Sequence, residues 1–311
     1  MTGGGDAVVE GVMIDRRAYV YVSLMVLIGS STALAARFAA RELPVGLLPI
    51  VRFGVAGLCL LPAVWHHGGG ALAAMIRRDR LRLLASAALC VPINQWFFLN
   101  GAKLAPTSHV AIIYATCPMV VLGLAVAVRQ ERADPARLVG VLASVLGVAL
   151  IALTGLAGGG AERARVLQGD LFLVVAVASW GAYLTVSKPL IARHGALPAL
   201  AATFLVGALL DLPIALATLP GWPPMLRAAS TAAWLGLAYL TLVVSVIGLA
   251  CQNLAMRRLD ASQVATFGNA GPVLTIALGA WMFREPITPW LMAGAALTLG
   301  GVLWTGRPRA A

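Results

Sequence analysis

Ten runs of about twenty apolar residues dominate the chain: roughly 18–40, 43–65, 81–103, 106–129, 136–155, 170–192, 196–218, 231–256, 261–283 and 287–306. A bilayer core about 30 Å thick takes about 20 apolar residues per helix. In lipid only a helix satisfies the backbone of such a run within one segment. The gaps are too short for a soluble domain; the longest are 66–80 and 156–169. Composition removes the alternatives. The 311 residues are 60% hydrophobic and 11% charged, where a soluble domain carries about 25% charge. That charge cannot wrap a water-soluble core, and disorder or a collagen-like rod is excluded as well. The expected fold is an all-α polytopic membrane protein.

The net charge of +11 does not point to nucleic acid, because the basic residues sit in short gaps and not on one polar face. With ten spans both termini share a side. Fifteen basic residues fall on that side, including Arg77, Arg78, Arg80, Arg82, Arg129 and Arg193. Seven fall on the other: Arg37, Arg41, Lys103, Arg163, Arg165, Arg227 and Arg284. The positive-inside rule then makes both termini cytoplasmic, in an inner (plasma) membrane. Asp6, Glu10 and Asp15 do not suit a cleaved signal peptide. Cys59, Cys90, Cys117 and Cys251 lie in apolar runs without CxxC spacing, which suggests small buried hydrophobes. No metal site or cofactor is expected.

The sequence matches itself at an offset of 154 residues. Ser108–Pro118 (SHVAIIYATCP) falls on Ser262–Pro272 (SQVATFGNAGP), Glu131 on Glu285, Pro135 on Pro289, Gly140 on Gly294 and Gly147 on Gly301. Between 108 and 148, ten of 41 positions are identical, where chance gives roughly four for so apolar a composition. The implied organisation is a tail (1–17), a five-helix repeat (18–155), a connecting loop (156–169), a second repeat (170–306) and a short tail (307–311). An odd number of spans per repeat makes the second copy enter the membrane from the opposite side. Two inverted five-helix repeats are a transporter signature, since equivalent halves can exchange roles around a central site.

These features resemble the EamA domains of the drug/metabolite transporter superfamily. The resemblance rests on the linker AKLAPTSHVA before span four, on Pro118 and Pro272 within spans four and nine, on Glu131 and Glu285 after them, and on Arg52 in span two (PIVRF). Among the branches it is most similar to amino-acid exporters of the YddG type. It implies export of small metabolites, with aromatic or broad neutral amino acids as substrates. Two positions depart from strict repetition: Val206 stands where Arg52 would recur, and Gln252-Asn253 where span three has Phe98-Leu99.

The polar and aromatic residues at mid-depth form the candidate substrate site: Asn94, Trp96, Tyr114, Trp180, Tyr183, Tyr239, Ser245, Gln252 and Asn269. An apolar pocket with a few convergent polar groups is the usual small-molecule site. Helical spacing puts Ser245 and Gln252 on one face, and likewise Trp180 and Tyr183. For any single Trp or Tyr, interfacial anchoring competes. Arg52 has two readings: an anchor for a substrate carboxylate, or a structural pair with Asp211 at similar depth, which is the preferred one. Pro118 and Pro272 each free a backbone carbonyl, on Tyr114 and Gly268, and read either as hinges or as static kinks. Glu131 and Glu285 read as helix-end or gate groups. Lys188 is expected to snorkel, and His109 to make interfacial hydrogen bonds. Nothing suggests an enzyme: there is no GxSxG, Walker loop, HExxH or Cys/His cluster. A passive channel is the rival, though it would want a charged ring or a continuous polar stripe.

Overall fold

The computed structural model describes residues 16–66, 70–129, 160–259, 261–268 and 270–305, with 139, 140, 142, 143, 146, 147 and 150. The described residues are helical, with no strand among them. Span one is α1 (Arg16–Ser30) and α2 (Thr32–Glu42), broken at Ser31, and α3 (Leu47–His66) is span two. A short helix, α4 (Gly70–Arg78), precedes span three, which joins α5 (Arg80–Ala88) to α6 (Asn94–Leu104) through a π-helical stretch, Leu89–Ile93. Span four is α7 (Thr107–Tyr114) and α8 (Cys117–Ala127). Next come α9 (Gly160–His194) and α10 (Ala196–Thr218) as spans six and seven, and the short α11 (Trp222–Ala228). Span eight joins α12 (Thr231–Tyr239) to α13 (Leu249–Met256) through the π-helical Leu240–Gly248. Span nine is α14 (Ala261–Gly268) and α15 (Ala270–Phe283), followed by α16 (Pro289–Thr305).

Six of these helical stretches are long and apolar enough to cross a membrane, and Leu47–Pro62 and Leu274–Phe283 are shorter apolar helices. The fifth expected span, 136–155, lies mostly outside the described residues. One boundary differs from expectation. Residues 160–169, read as loop, open α9, whose 35 residues reach about 52 Å at 1.5 Å each. Gly195 ends that helix with φ of +90°, a left-handed conformation that a residue with a Cβ rarely adopts, and the chain reverses into α10.

The local irregularities repeat with the sequence. Both π-helical stretches fall at the same place in their halves, and span four breaks just before the helix that carries its proline. Neighbouring spans also pair in a repeating pattern. Gly46 lies against Ala215, Gly54 against Ala208 and Gly57 against Leu205, so spans two and seven run antiparallel. In spans four and nine, α7 packs on α15 and α8 on α14, again antiparallel. Spans one and eight meet through Ile28–Gly248 and Ser31–Tyr239. Their counterparts, spans six and three, meet through Ser179–Leu89 and Gly169–Ala105.

Small residues permit these approaches. A Cβ on Gly169 would sit 2.8 Å from the Ala105 backbone nitrogen, whereas one on Gly123 meets nothing within 4 Å. Gly169→Ala should therefore lower stability in detergent by about 1–3 kcal/mol, as overpacking does, while Gly123→Ala should not lower it. Thermal melting of the two variants measures the difference.

The interior is apolar, with Phe53 and Phe204 edge to face at 4.9 Å between spans two and seven. Leu58, Leu209, Leu216, Leu235 and Trp281 face outward, as a lipid-facing surface requires. Cys59 is also exposed, unlike the three other cysteines, because it shares that outer face with Leu58.

Candidate functional site

A cavity of about 220 Å³ lies between the halves. Its lining is paired by the repeat: Val26 with Trp180, Ser30 with Leu184, Asn94 with Gly248, Gln95 with Leu249, Phe98 with Gln252, Val110 with Val264, Ala111 with Ala265, Tyr114 with Gly268 and Cys117 with Gly271. Equivalent positions on both halves thus face one space. The chemistry is not equivalent. The first half presents Arg52, Asn94, Gln95 and Tyr114, while the second presents glycines and aliphatic side chains at the matching places, relieved by Gln252.

One hydrogen-bonded network organises the polar wall. Arg52 donates from Nε to Ser245 Oγ (2.7 Å) and from Nη1 to Gln95 Oε1 (3.1 Å). Gln95 Nε2 donates to Asn94 Oδ1 (2.7 Å), and Asn94 Nδ2 donates to the Ala176 carbonyl (2.8 Å) and the Tyr114 hydroxyl (3.2 Å). Spans two, three, four, six and eight are thereby joined. The network ends on Tyr114, the residue before the Ala115–Thr116 turn that breaks span four. Pro118 follows at the start of α8, where span four is already interrupted, and Pro272 lines the cavity.

Among the described residues, Arg52 is the one charged side chain in the lining, and it has no carboxylate partner. The pairing expected with Asp211 is not made. Arg52 is held by Ser245 and Gln95, and Asp211, itself buried, keeps one carboxylate oxygen without a hydrogen-bond partner. Gln252 Nε2 is likewise buried without a partner at the cavity wall. A guanidinium and a free amide end are suited to receive an anion with two oxygens.

The other expected residues divide by position. Asn94, Tyr114, Trp180 and Gln252 line the cavity. Ser245 and Tyr183 stand behind it, Ser245 holding Arg52, and Tyr183 packed on Trp180 at 5.0 Å with its hydroxyl accepting from Asn253 (3.4 Å). Trp96 and Tyr239 are not in the lining. Trp96 packs outside on Phe97 and Phe172, and Tyr239 is half-exposed near the start of span eight, sharing a 2.7 Å hydrogen bond with Ser31. Asn269 and Glu131 lie outside the described residues.

Two charged contacts lie outside the cavity lining. The Glu285 carboxylate accepts from the backbone N–H groups of Thr107 (2.9 Å) and Ser108 (3.1 Å), capping α7, and it is paired with Arg37 of α2. Arg37 also donates to Thr107 Oγ1 (2.9 Å) and lies over the Phe283 ring. Burial raises the Glu285 carboxyl, but the hydrogen bonds from Thr107, Ser108 and Arg37 outweigh it and hold the group below the usual glutamate range. Lys188 Nζ donates to the carbonyls of Met256 (2.6 Å) and Leu259 instead of snorkelling. Arg37 and Lys188 belong to spans one and six, which are equivalent in the two halves. His109, read as interfacial, is buried against the Asp170 carboxylate at 2.9 Å. Sequence reasoning misses Asp170 as its partner.

The EamA-like transporter family profile matches residues 16–153 and, a second time, residues 167–307. The chain belongs to that family. This transporter is 26% identical over 298 residues to the uncharacterized transporter YetK of Bacillus subtilis, covering 95% of this chain and 89% of YetK. It is 29% identical over 265 residues to a probable terminal-alkyne amino-acid exporter of Streptantibioticus cattleyicolor, covering 82% and 85% of the two chains. A solved crystal structure of 22% identity superposes with a TM-score of 0.65 over 92% of this transporter and 95% of that chain. That likeness concerns the fold alone.

Proposed function

We propose that this transporter exports amino acids, aromatic or broadly neutral, by alternating access around the cavity between two inverted five-span repeats. Both termini are cytoplasmic in this reading, in an inner (plasma) membrane. The observation that carries it is Arg52, a buried guanidinium facing the cavity with no carboxylate beside it among the described residues. A charge at such depth is costly and is retained where it has a task. A substrate carboxylate would supply the missing anion, with Gln252 as a second donor. The carbonyl of Tyr114, which Pro118 cannot bond, offers an acceptor for the ammonium group. Trp180 and Phe98 give the substrate side chain an apolar wall.

The antiparallel packing of repeat-related spans two and seven, and four and nine, supports the inverted arrangement. The Arg37–Glu285 pair, which joins the two halves, supports a closure at one end. Similarity to the Streptantibioticus relative, named a probable terminal-alkyne amino-acid exporter, supports the substrate class.

A panel of radiolabelled amino acids in proteoliposomes tests the reading. Neutral amino acids should be transported, and an imposed pH gradient should leave the rate unchanged, because the lining carries no acid among the described residues. Transport of the matching decarboxylated amines with none of the amino acids would refute it.

A further inference from the structure

At the end of the molecule where α4 meets α5, Arg77, Arg78, Arg80, Arg82 and Arg193 surround a single acid, Asp79, in an open cleft. Asp79 is buried and already engaged: it accepts from Arg193 (2.7 Å), His194 Nε2 (2.9 Å) and Arg82 (3.4 Å). Its bond to His194 leads the causes that hold the carboxyl below its ordinary range, where it stays charged at neutral pH. Asp79 thus pins Arg193 and Arg82 at the ends of α9 and α5. Arg77, Arg78 and Arg80 are exposed and have no ion-pair partner among the described residues. Met75 buries fully and fixes α4 beneath them. The cleft is not purely polar. Leu81 forms part of its wall at 74% exposure, with Ile76 and Leu84 also exposed alongside. Unpaired guanidiniums beside apolar side chains call for a ligand that is anionic at one end and apolar at the other.

We propose that this cleft seats the phosphate headgroup of an anionic phospholipid from the leaflet it faces, with the acyl chains lying over Leu81, Leu84 and Ile76. Asp79 acts as the internal strut that holds the cationic rim together. An inorganic phosphate would satisfy the guanidiniums and leave the leucines bare, so the apolar flank selects the lipid. Each arginine near an anionic lipid surface contributes about fivefold in affinity, so three together contribute about a hundredfold.

The full-length transporter, purified in detergent, is titrated with phosphatidylglycerol or phosphatidylcholine, and bound lipid is counted by native mass spectrometry. Phosphatidylglycerol should be retained in preference to phosphatidylcholine. The triple variant Arg77→Gln/Arg78→Gln/Arg80→Gln should lose about a hundredfold in phosphatidylglycerol affinity, and Arg80→Gln alone about fivefold. Melting in phosphatidylcholine should be unchanged for both, since the replaced side chains are exposed. The variant Arg163→Gln/Arg165→Gln, outside the cleft, should keep the lipid. Equal retention of the two lipids, or undiminished phosphatidylglycerol binding in the triple variant, would overturn the assignment. Displacement of the lipid by inorganic phosphate would overturn it in favour of a free-anion site.

Discussion

Replacing Arg52 with glutamine is expected to lower amino-acid transport by about 10- to 150-fold without lowering the melting temperature. The transport loss follows from removing charge-assisted hydrogen bonds to the substrate carboxylate, worth about 1.5–3 kcal/mol. Stability should be held because Arg52 is a buried cation without a carboxylate partner, so its desolvation works against the fold. Glutamine still offers an amide N–H toward Ser245 Oγ, which now accepts from Nε at 2.7 Å. Two readouts separate a substrate role from a scaffold role. Affinity for an amine analogue lacking the carboxylate should be the same in the parent and the variant, and melting should stay level or rise. A fall in melting temperature with equal loss for both substrates would return Arg52 to the scaffold.

Glu285→Gln should break the pairing with Arg37 that, in the proposed cycle, closes one end of the cavity. Its carboxylate caps two N–H groups of α7 and pairs with Arg37, with side-chain exposures of 11% and 19%. Breaking a partly buried, hydrogen-bonded pair costs about 2–3 kcal/mol, which shifts the closed–open balance by about 30- to 150-fold. Cys117 lines the cavity and serves as reporter once the other cysteines are replaced by alanine. Its labelling by an impermeant thiol reagent from the Glu285 side should rise in Glu285→Gln and in Arg37→Gln. In the double variant the two effects should not add, since both remove one interaction. The pH dependence has a fixed sign. Because the closed state holds the carboxyl below its ordinary value of 4.5, the stabilisation is present above that value and lost as pH falls through the depressed one. Labelling should thus be flat near neutrality and rise only in acid. Unchanged labelling in all three variants would remove the pair from gating.

Apart from the start of α9, the apolar runs located the described membrane helices to within a few residues, because membrane depth sets a length that composition can be read against. Pro118 likewise marked the place where span four is interrupted. Side-chain direction was less legible. A π-helical stretch precedes Trp96 and another contains Ser245, and its wider turn breaks the 3.6-residue period on which shared faces were argued. Ser245 therefore sits behind Arg52 while Gln252 faces inward, and Trp96, placed by depth alone, packs outside the cavity. Pairings between distant segments were beyond reach for a different reason. Arg52 with Ser245, Arg37 with Glu285 and His109 with Asp170 join elements whose proximity only packing decides. A depth match alone suggested Asp211 for Arg52, and depth says nothing of which way a helix is turned.

Counterflow in proteoliposomes bears most directly on a cavity reached from one side at a time. Vesicles preloaded with unlabelled amino acid should take up external tracer faster than empty vesicles and accumulate it transiently above equilibrium, as a site that returns loaded must. Tracer entry at the same rate with and without preloading would describe an open pore and contradict the account.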